Sequence, residues 1–295
     1  MNNRRVKSNR AQSDYFELLV AQYICNLYNI IFYYYENLSF LHNQILNIPN
    51  GKERLRLQND NILKVAKKFK EILDFEISKK GKIIEVLWIG RKLTIKTTSD
   101  VDVKHITHNF TRFSVKSISQ SGSGTIKNLG MRSLIKYLNI DFDNEYNKMW
   151  QKLRIHTRKE KISQYDLKKK VLGNEKLLNW AAKNGQKYQK KLNKLCLKAF
   201  NEMPKENKIK FINYMLDADD EDLYVIIVNS KGVIIYKPIE KELKLDYQIE
   251  AKKDSGVGYT IYINNIPTYR IQTNATNGIG VSAFCQRVFF ADKLN

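Results

Sequence analysis

The alternation running from Asp100 to Lys116 constrains this chain more than any other feature. Val101 and Val103 are set between Asp100, Asp102 and Lys104, and Phe113 and Val115 between Arg112, Ser114 and Lys116. Side chains on an extended strand project to alternate faces, so apolar residues on one parity predict two half-buried strands. The polar run from Thr107 to Thr111 supplies their turn. One face then packs valine and phenylalanine inward, and the other brings carboxylates opposite an ammonium. With the turn centred near Asn109, Lys116 falls opposite Asp102 and one step from Asp100, at a solvent-facing spot. A slip of one residue would carry the lysine to the wrong face, so the register decides the chemistry.

The rest of the chain frames this pair. Residues 11 to about 75 read as mainly helical, with a looser stretch at NIPNG, 47–51. Leu18 to Tyr35 carries no charge, but Gln22, Asn26 and Asn29 interrupt it. Phe16, Leu19, Val20, Tyr23, Leu27, Ile30 and Ile31 recur there at helical spacing. A core-packed amphipathic helix explains this better than a bilayer span. Residues 82 to 118 turn to strand character, with KIIEVLWIG and KLTIK preceding the alternating pair. The loop SISQSGSGTIKNLG leads into another helical stretch, and residues 143–216 are helical and basic. LYVIIVNSKGVIIY, YTIYINN, PTYRIQTN and VSAFCQRVFF then read as strands, separated by turns such as NSKG and TNATNGIG. The order predicts an α/β fold in a single domain over 1–295: a core over 11–142, a basic helical region over 143–216 and a β-rich region over 217–295.

Charge narrows the partners. Lys and Arg number 51 against 30 Asp and Glu, a formal net charge of +21. Such an excess suggests a polyanion, with nucleic acid ahead of a membrane surface. Gln151–Lys210 holds 18 Lys or Arg against 5 Asp or Glu. Its lysines suit phosphate contact, which needs charge density, while Tyr165, Trp180 and Tyr188 suit a helical core. Cys25, Cys196 and Cys285 are far apart with no CxxC, which fits a reduced, cytoplasmic setting. The basic start MNNRRVKSNRAQSDYFE runs into polar residues, not a signal core. Three other motifs carry less. His105 and His108 on a strand would point to opposite faces, a poor metal pair. DADDED, 217–222, lacks calcium-loop spacing and reads as a solvated turn. SGSG, 121–124, lacks the GK[ST] ending of a phosphate-binding loop.

A carboxylate and an ammonium converging beside a divalent cation are the minimum parts for phosphodiester hydrolysis. The pattern Ser99-Asp100, about a dozen residues, then Ser114-Val115-Lys116 resembles the PD-(D/E)XK nuclease superfamily. Within it, the pattern is similar to the MspI-like branch of type II restriction endonucleases, which tolerates a non-acidic residue two before the lysine. The resemblance implies a restriction-endonuclease-like mixed central sheet flanked by helices. It also implies Asp100 as the metal-binding carboxylate, Lys116 as the catalytic lysine and Val115 as a backbone-carbonyl ligand. Ser114 stands where an acid is usual, so either it takes part in catalysis through a water, or Asp102 or Glu17 compensates. Glu17 lies in SDYFELLVAQYI, which resembles the family's first helix; it would serve equally as an ordinary acid near a helix start. VLWIGRKLTIKTTSDVDV resembles the strands leading into the site.

The same likeness extends to the DNA contacts. SISQSGSGTIKNLG resembles a phosphate-tracking turn, with Gln120, Ser121 and Lys127 as contacts. NKIKFINYML, LYVIIVNSKGVIIY and TYRIQTNATNGIGVSAF resemble a terminal recognition sheet. There Arg270 suits guanine, and Gln272, Asn274 and Asn277 suit adenine. The implied activity is Mg²⁺-dependent cleavage of double-stranded DNA at a short specific sequence, by a monomer or homodimer. A cognate DNA methyltransferase in the same cell follows from that activity. The alternatives are a repair, nicking or modification-dependent nuclease, and a non-catalytic DNA-binding protein in which Asp100–Lys116 is a plain ion pair.

Overall fold

Three helices open the chain: α1 (Asn2–Leu27), α2 (Tyr35–Leu46) and α3 (Gly51–Lys80). They come from a computed structural model that describes residues 2–90, 99–118, 125–140, 147–148, 151–152, 163–217, 220–229, 232–237, 246–254, 258–274 and 285–291. The helical spacing that extended to Ile31 breaks earlier, at Asn29, whose φ of 55° is left-handed. Asparagine tolerates that region because its short polar side chain can bond locally. Ile31 is consequently left 67% exposed instead of packed. The expected break at NIPNG separates α2 from α3. A Cβ on Gly51 would lie 2.2 Å from the Ile45 carbonyl oxygen, so only glycine permits this close approach. Among the described residues no helix is long and apolar enough to cross a membrane.

The strands that follow are β1 (Ile83–Trp88), β2 (Val101–His105), β3 (Phe110–Ser117) and β4 (Lys127–Gly130). After a run of helices come β5 (Leu223–Val228) and β6 (Val233–Tyr236). The first sheet has the order β1-β2-β3-β5-β6, with β3 and β5 parallel and the other pairs antiparallel. This parallel pairing draws residues 217–236 away from the terminal β-region where they were expected. The chain divides into two compact units. The first comprises Met1–Gly124, Asp217–Glu242 and Lys293–Asn295; the second comprises Thr125–Leu216 and Leu243–Asp292.

In the first unit the predicted apolar parity is the buried one. Val101, Val103, Phe113 and Val115 pack with Phe16, Val20 and Ile24 of α1 and Val65, Phe69 and Leu73 of α3. Phe69 meets Phe113 edge-on, with ring centroids 5.2 Å apart. Burying each such side chain is worth about 1.5–3 kcal/mol, enough to hold the strand parity in place. The register differs from expectation. Asp102 pairs with Arg112 and Val101 with Phe113, so Lys116 is not opposite Asp102. The turn is Ile106–Asn109, with His108 left-handed at φ 64°. The His105 ring fixes it, bonding the Gly81 carbonyl through Nδ1 at 2.8 Å and Thr111 Oγ1 through Nε2 at 2.9 Å. Relative to expectation β3 is displaced by an even number of residues, so every side chain keeps its face.

The second unit contains α4 (Met131–Leu138), α5 (Gln164–Leu172), α6 (Glu175–Glu202) and α7 (Lys205–Leu216). Its strands are β4, β7 (Ile249–Lys253), β8 (Gly258–Ile263), β9 (Ile266–Asn274) and β10 (Cys285–Phe290). They form an antiparallel sheet in the order β4-β10-β9-β8-β7. Two expectations are corrected here: KNLG is strand β4 and not loop, and NKIKFINYML lies in helix α7 and not in a sheet. Polar bonds tie α6 to this sheet. Asn193 Nδ2 donates to the Gly258 carbonyl at 3.1 Å, and Gln189 Nε2 to that of Thr273 at 2.7 Å. The other side of α6 exposes Lys183, Lys187, Lys190, Lys191, Lys194 and Lys198, while Trp180 and Tyr188 are half-buried.

Candidate active site

Asp100 sits just before β2, and its backbone is pinned on both sides. Its N–H donates to the Phe113 carbonyl at 2.7 Å, and its carbonyl accepts from the Ile89 N–H at 3.0 Å. The carboxylate therefore emerges at a fixed point beside β3. One oxygen, Oδ2, accepts from the Val115 N–H at 2.8 Å, Lys116 Nζ at 3.0 Å and Ser114 Oγ at 3.2 Å. Asp100, Ser114 and Lys116 thus meet, as the shared parity requires. The spot is more enclosed than expected: the Asp100 side chain is 16% exposed and that of Lys116 36%, and Ser114 is buried.

Val115 enters through its backbone. The Arg112 and Ile118 N–H groups bond toward β5, to the Asp222 and Val228 carbonyls, whereas the Phe113 carbonyl and Val115 N–H bond toward Asp100. Both backbone groups of a strand residue point to the same neighbour. The Val115 carbonyl therefore projects to the side on which the Asp100 carboxylate lies.

Glu17 arrives from α1. It is buried, and Trp88 Nε1 donates to its Oε2 at 3.0 Å. Burial pushes its carboxyl up to about 8, and the Asp100 charge adds to the rise against the Trp88 bond and the Lys116 ammonium. Asp14, three residues earlier on the same helix, is also raised, chiefly by burial, with Asp100 contributing. Asp14, Glu17, Asp100 and Lys116 thus share one electrostatic neighbourhood. Asp14 escaped the sequence reading, although its i, i+3 spacing from Glu17 in SDYFE was the available signal.

Asp102 belongs to a different cluster. Ser99 Oγ donates to its Oδ1 at 2.6 Å, and Arg112 Nε lies 3.8 Å from its Oδ2. The same guanidinium reaches Asp220 Oδ1 at 3.0 Å. Burial raises the Asp102 carboxyl, and Ser99 and Arg112 oppose that. The Asp100 charge raises both acids that could stand in for Ser114, and Glu17 alone of the two also feels the Lys116 ammonium. Asp220 and Asp222 are anchors and not a merely solvated turn, since Asp222 Oδ1 pairs with Lys80 at 2.8 Å.

Two residues of α3 complete the surroundings and were not anticipated. Buried Asn61 donates through Nδ2 to Ser117 Oγ, beside Lys116, at 2.9 Å, and Lys64 Nζ donates to Asn61 Oδ1 at 3.3 Å. Asn61 falls at helical spacing with Val65, Phe69 and Leu73 on the buried face of this lysine-rich helix, and that polar interruption was the signal.

The expected DNA contacts divide. Arg270 and Gln272 lie exposed on β9, with Arg270 Nε 2.5 Å from Asp254 Oδ2. Lys127 opens β4 opposite Val288, and Asn274 ends β9 opposite Cys285. Gln120, Ser121 and Asn277 lie outside the described residues, as does SGSG.

A Mg²⁺ ion takes oxygen ligands and commonly needs only one or two carboxylates, with water and phosphate completing its octahedron. Asp100, Glu17 and the Val115 carbonyl fit that requirement. Among the described residues no group of three or more His, Cys, Asp or Glu side chains is placed to hold a metal ion by itself. No family model, curated protein or solved structure matches this chain.

Proposed function

We propose that this chain is a Mg²⁺-dependent endonuclease of the PD-(D/E)XK type, cutting double-stranded DNA at a short specific sequence as type II restriction enzymes do. One observation carries the reading. A carboxylate ahead of β2 and an ammonium from β3 converge at 3.0 Å, with a second carboxyl held in their field. The mixed sheet with helices packed on it and the net charge of +21 agree with it.

Asp100 and Glu17, with the Val115 carbonyl, would hold the cation. Bound there, it supplies a lowered pKa for its water and charge stabilisation at the scissile phosphate. Lys116 then orients the attacking water and offsets charge on the phosphate. Ser114 keeps Asp100 aimed through its hydroxyl. Trp88 holds Glu17 in place, and the burial of Glu17 keeps that carboxyl protonated until a cation lowers its pKa.

The test is digestion of a large natural DNA in Mg²⁺, with Ca²⁺ and EDTA as controls. Discrete fragments in Mg²⁺ alone are the expected result, and sequencing their ends gives the site. A smear or nicks would indicate the repair, nicking or modification-dependent alternative. One further reading rests on the same geometry. The Lys116 ammonium is already satisfied by Asp100, and position 114 offers no acid, so the pair could be a plain ion pair in a DNA-binding protein. Duplex binding with no cleavage in any common divalent metal would establish that instead.

A further inference from the structure

The outer face of the second sheet places three polar side chains in one line. Arg287 on β10 pairs with Asn128 of β4 on one side and Gln272 of β9 on the other. Directly opposite residues of antiparallel strands share a face about 5 Å apart. Asn128, Arg287 and Gln272 therefore form a single row, and all three are exposed. Their strand neighbours Leu129, Gln286, Val288, Ile271 and Thr273 are buried on the opposite face. On the far side of Gln272 the row meets Gly258, where a Cβ would lie 2.6 Å from the Ile271 carbonyl oxygen. No side chain crowds Gln272 from that strand.

The adjacent cations are compensated. Arg270 is held by Asp254, and Lys252 Nζ lies 2.5 Å from Glu250 Oε1. Among the described residues no carboxylate pairs with Arg287. A guanidinium flanked by two carboxamides suits nucleobase edges better than phosphates. Guanine presents two acceptors to the guanidinium fork and adenine an acceptor–donor pair that engages both groups of a carboxamide, whereas a phosphate engages only the carboxamide N–H donor. The row spans about 10 Å, within the roughly 12 Å width of the major groove. It also lies at the margin of the sheet, where β4 is an edge strand of four residues.

We infer that Asn128, Gln272 and Arg287 read base edges in the major groove of duplex DNA. The inference rests on the DNA-binding part of the function proposed above, not on cleavage. The test selects bound duplexes from a pool with a randomised core, in Ca²⁺ without Mg²⁺, using wild type, Arg287→Ala, Arg287→Lys and Asn128→Ala. Wild type should enrich a motif. Arg287→Ala should lose about 10- to 100-fold discrimination at one base pair while still holding DNA at low salt. Arg287→Lys should not restore it, because an ammonium lacks the fork. All three side chains are exposed, so the thermal unfolding midpoint should not move. Undiminished enrichment of the same motif by Arg287→Ala would overturn the inference. So would wild type enriching no motif, or RNA or anionic vesicles displacing the duplex more readily than duplex itself. Motif enrichment by a protein that leaves DNA uncut in Mg²⁺ would refute the nuclease reading and support this one.

Discussion

At the scale of single residues, Asp100 and Lys116 make the sharpest prediction. Lys116 is the more exposed partner, and without it Asp100 keeps its bonds to the Val115 N–H and the Ser114 hydroxyl, so Lys116→Ala should leave folding and duplex binding nearly unchanged. If the lysine positions the attacking water, cutting should fall by about 10²–10⁴-fold, measured on the fragmenting DNA. Retained cutting would remove Lys116 from the site. Glu17 makes a prediction of opposite character, visible without DNA. Its carboxyl rises from 4.5 to about 8 on folding, so the folded chain holds that proton more tightly. The associated stability is complete below about pH 4.5 and is lost as pH rises through 8. In EDTA near pH 9, Glu17→Gln should be more stable than wild type by on the order of 3 kcal/mol, and near pH 5 the difference should vanish. Thermal unfolding at the two pH values checks this, and an equal gap at both would contradict it.

At the scale of elements, a buried charge network anchors α3 to the first sheet. Glu76 is 1% exposed; its Oε2 pairs with Lys80 at 2.7 Å, and its Oε1 accepts from the Tyr224 hydroxyl at 2.6 Å and Lys237 at 3.3 Å. Lys80 also donates to the Phe110 carbonyl at 2.7 Å, fastening the start of β3. Burial alone would raise the Glu76 carboxyl, but the Lys80 and Tyr224 bonds and both ammonium charges hold it down to about 2. Its stabilisation is present above about pH 4.5 and is lost as pH falls toward 2. Glu76→Gln takes the carboxylate from Lys237 and leaves Lys80 only its pair with Asp222, so it should cost about 3 kcal/mol in urea unfolding at neutral pH. A midpoint unchanged from wild type would count against the network. None of this was legible in the sequence, because Glu76 reads as one more charge on a lysine-rich helix. The strand parity was legible, since alternation fixes which side chains share a face. The exact partners were not, because they depend on where the chain reverses. His108 in a left-handed turn and the bonded His105 ring decide that locally.

At the scale of the whole molecule, the net charge of +21 and the exposed lysines of α6 favour a polyanion through counterion release. Duplex affinity should therefore fall with rising salt, with a log–log slope of about −5 or steeper, in a titration series over salt concentration. A flat response would argue against phosphate contact. Composition alone carried that expectation, and periodicity carried the helical opening and the β-rich end. Sequence order misled over which residues share a unit. LYVIIV precedes the other terminal strands yet pairs in parallel with β3. Hydrophobic periodicity marks a strand without naming its neighbour, and a distant parallel partner leaves no local trace.

What the amino-acid order determined by itself was parity and charge: Asp100 on the same face as Lys116, valine and phenylalanine on the other, and a strongly basic chain. These follow from local backbone geometry and from counting. Tertiary structure alone decided that Glu17 sits in the field of Asp100, that Asp102 turns to Arg112, and that Arg287 lies between Asn128 and Gln272. The first and the last depend on segments far apart in the chain, where packing of whole faces sets the register, and the second on where the β2–β3 turn reverses the chain.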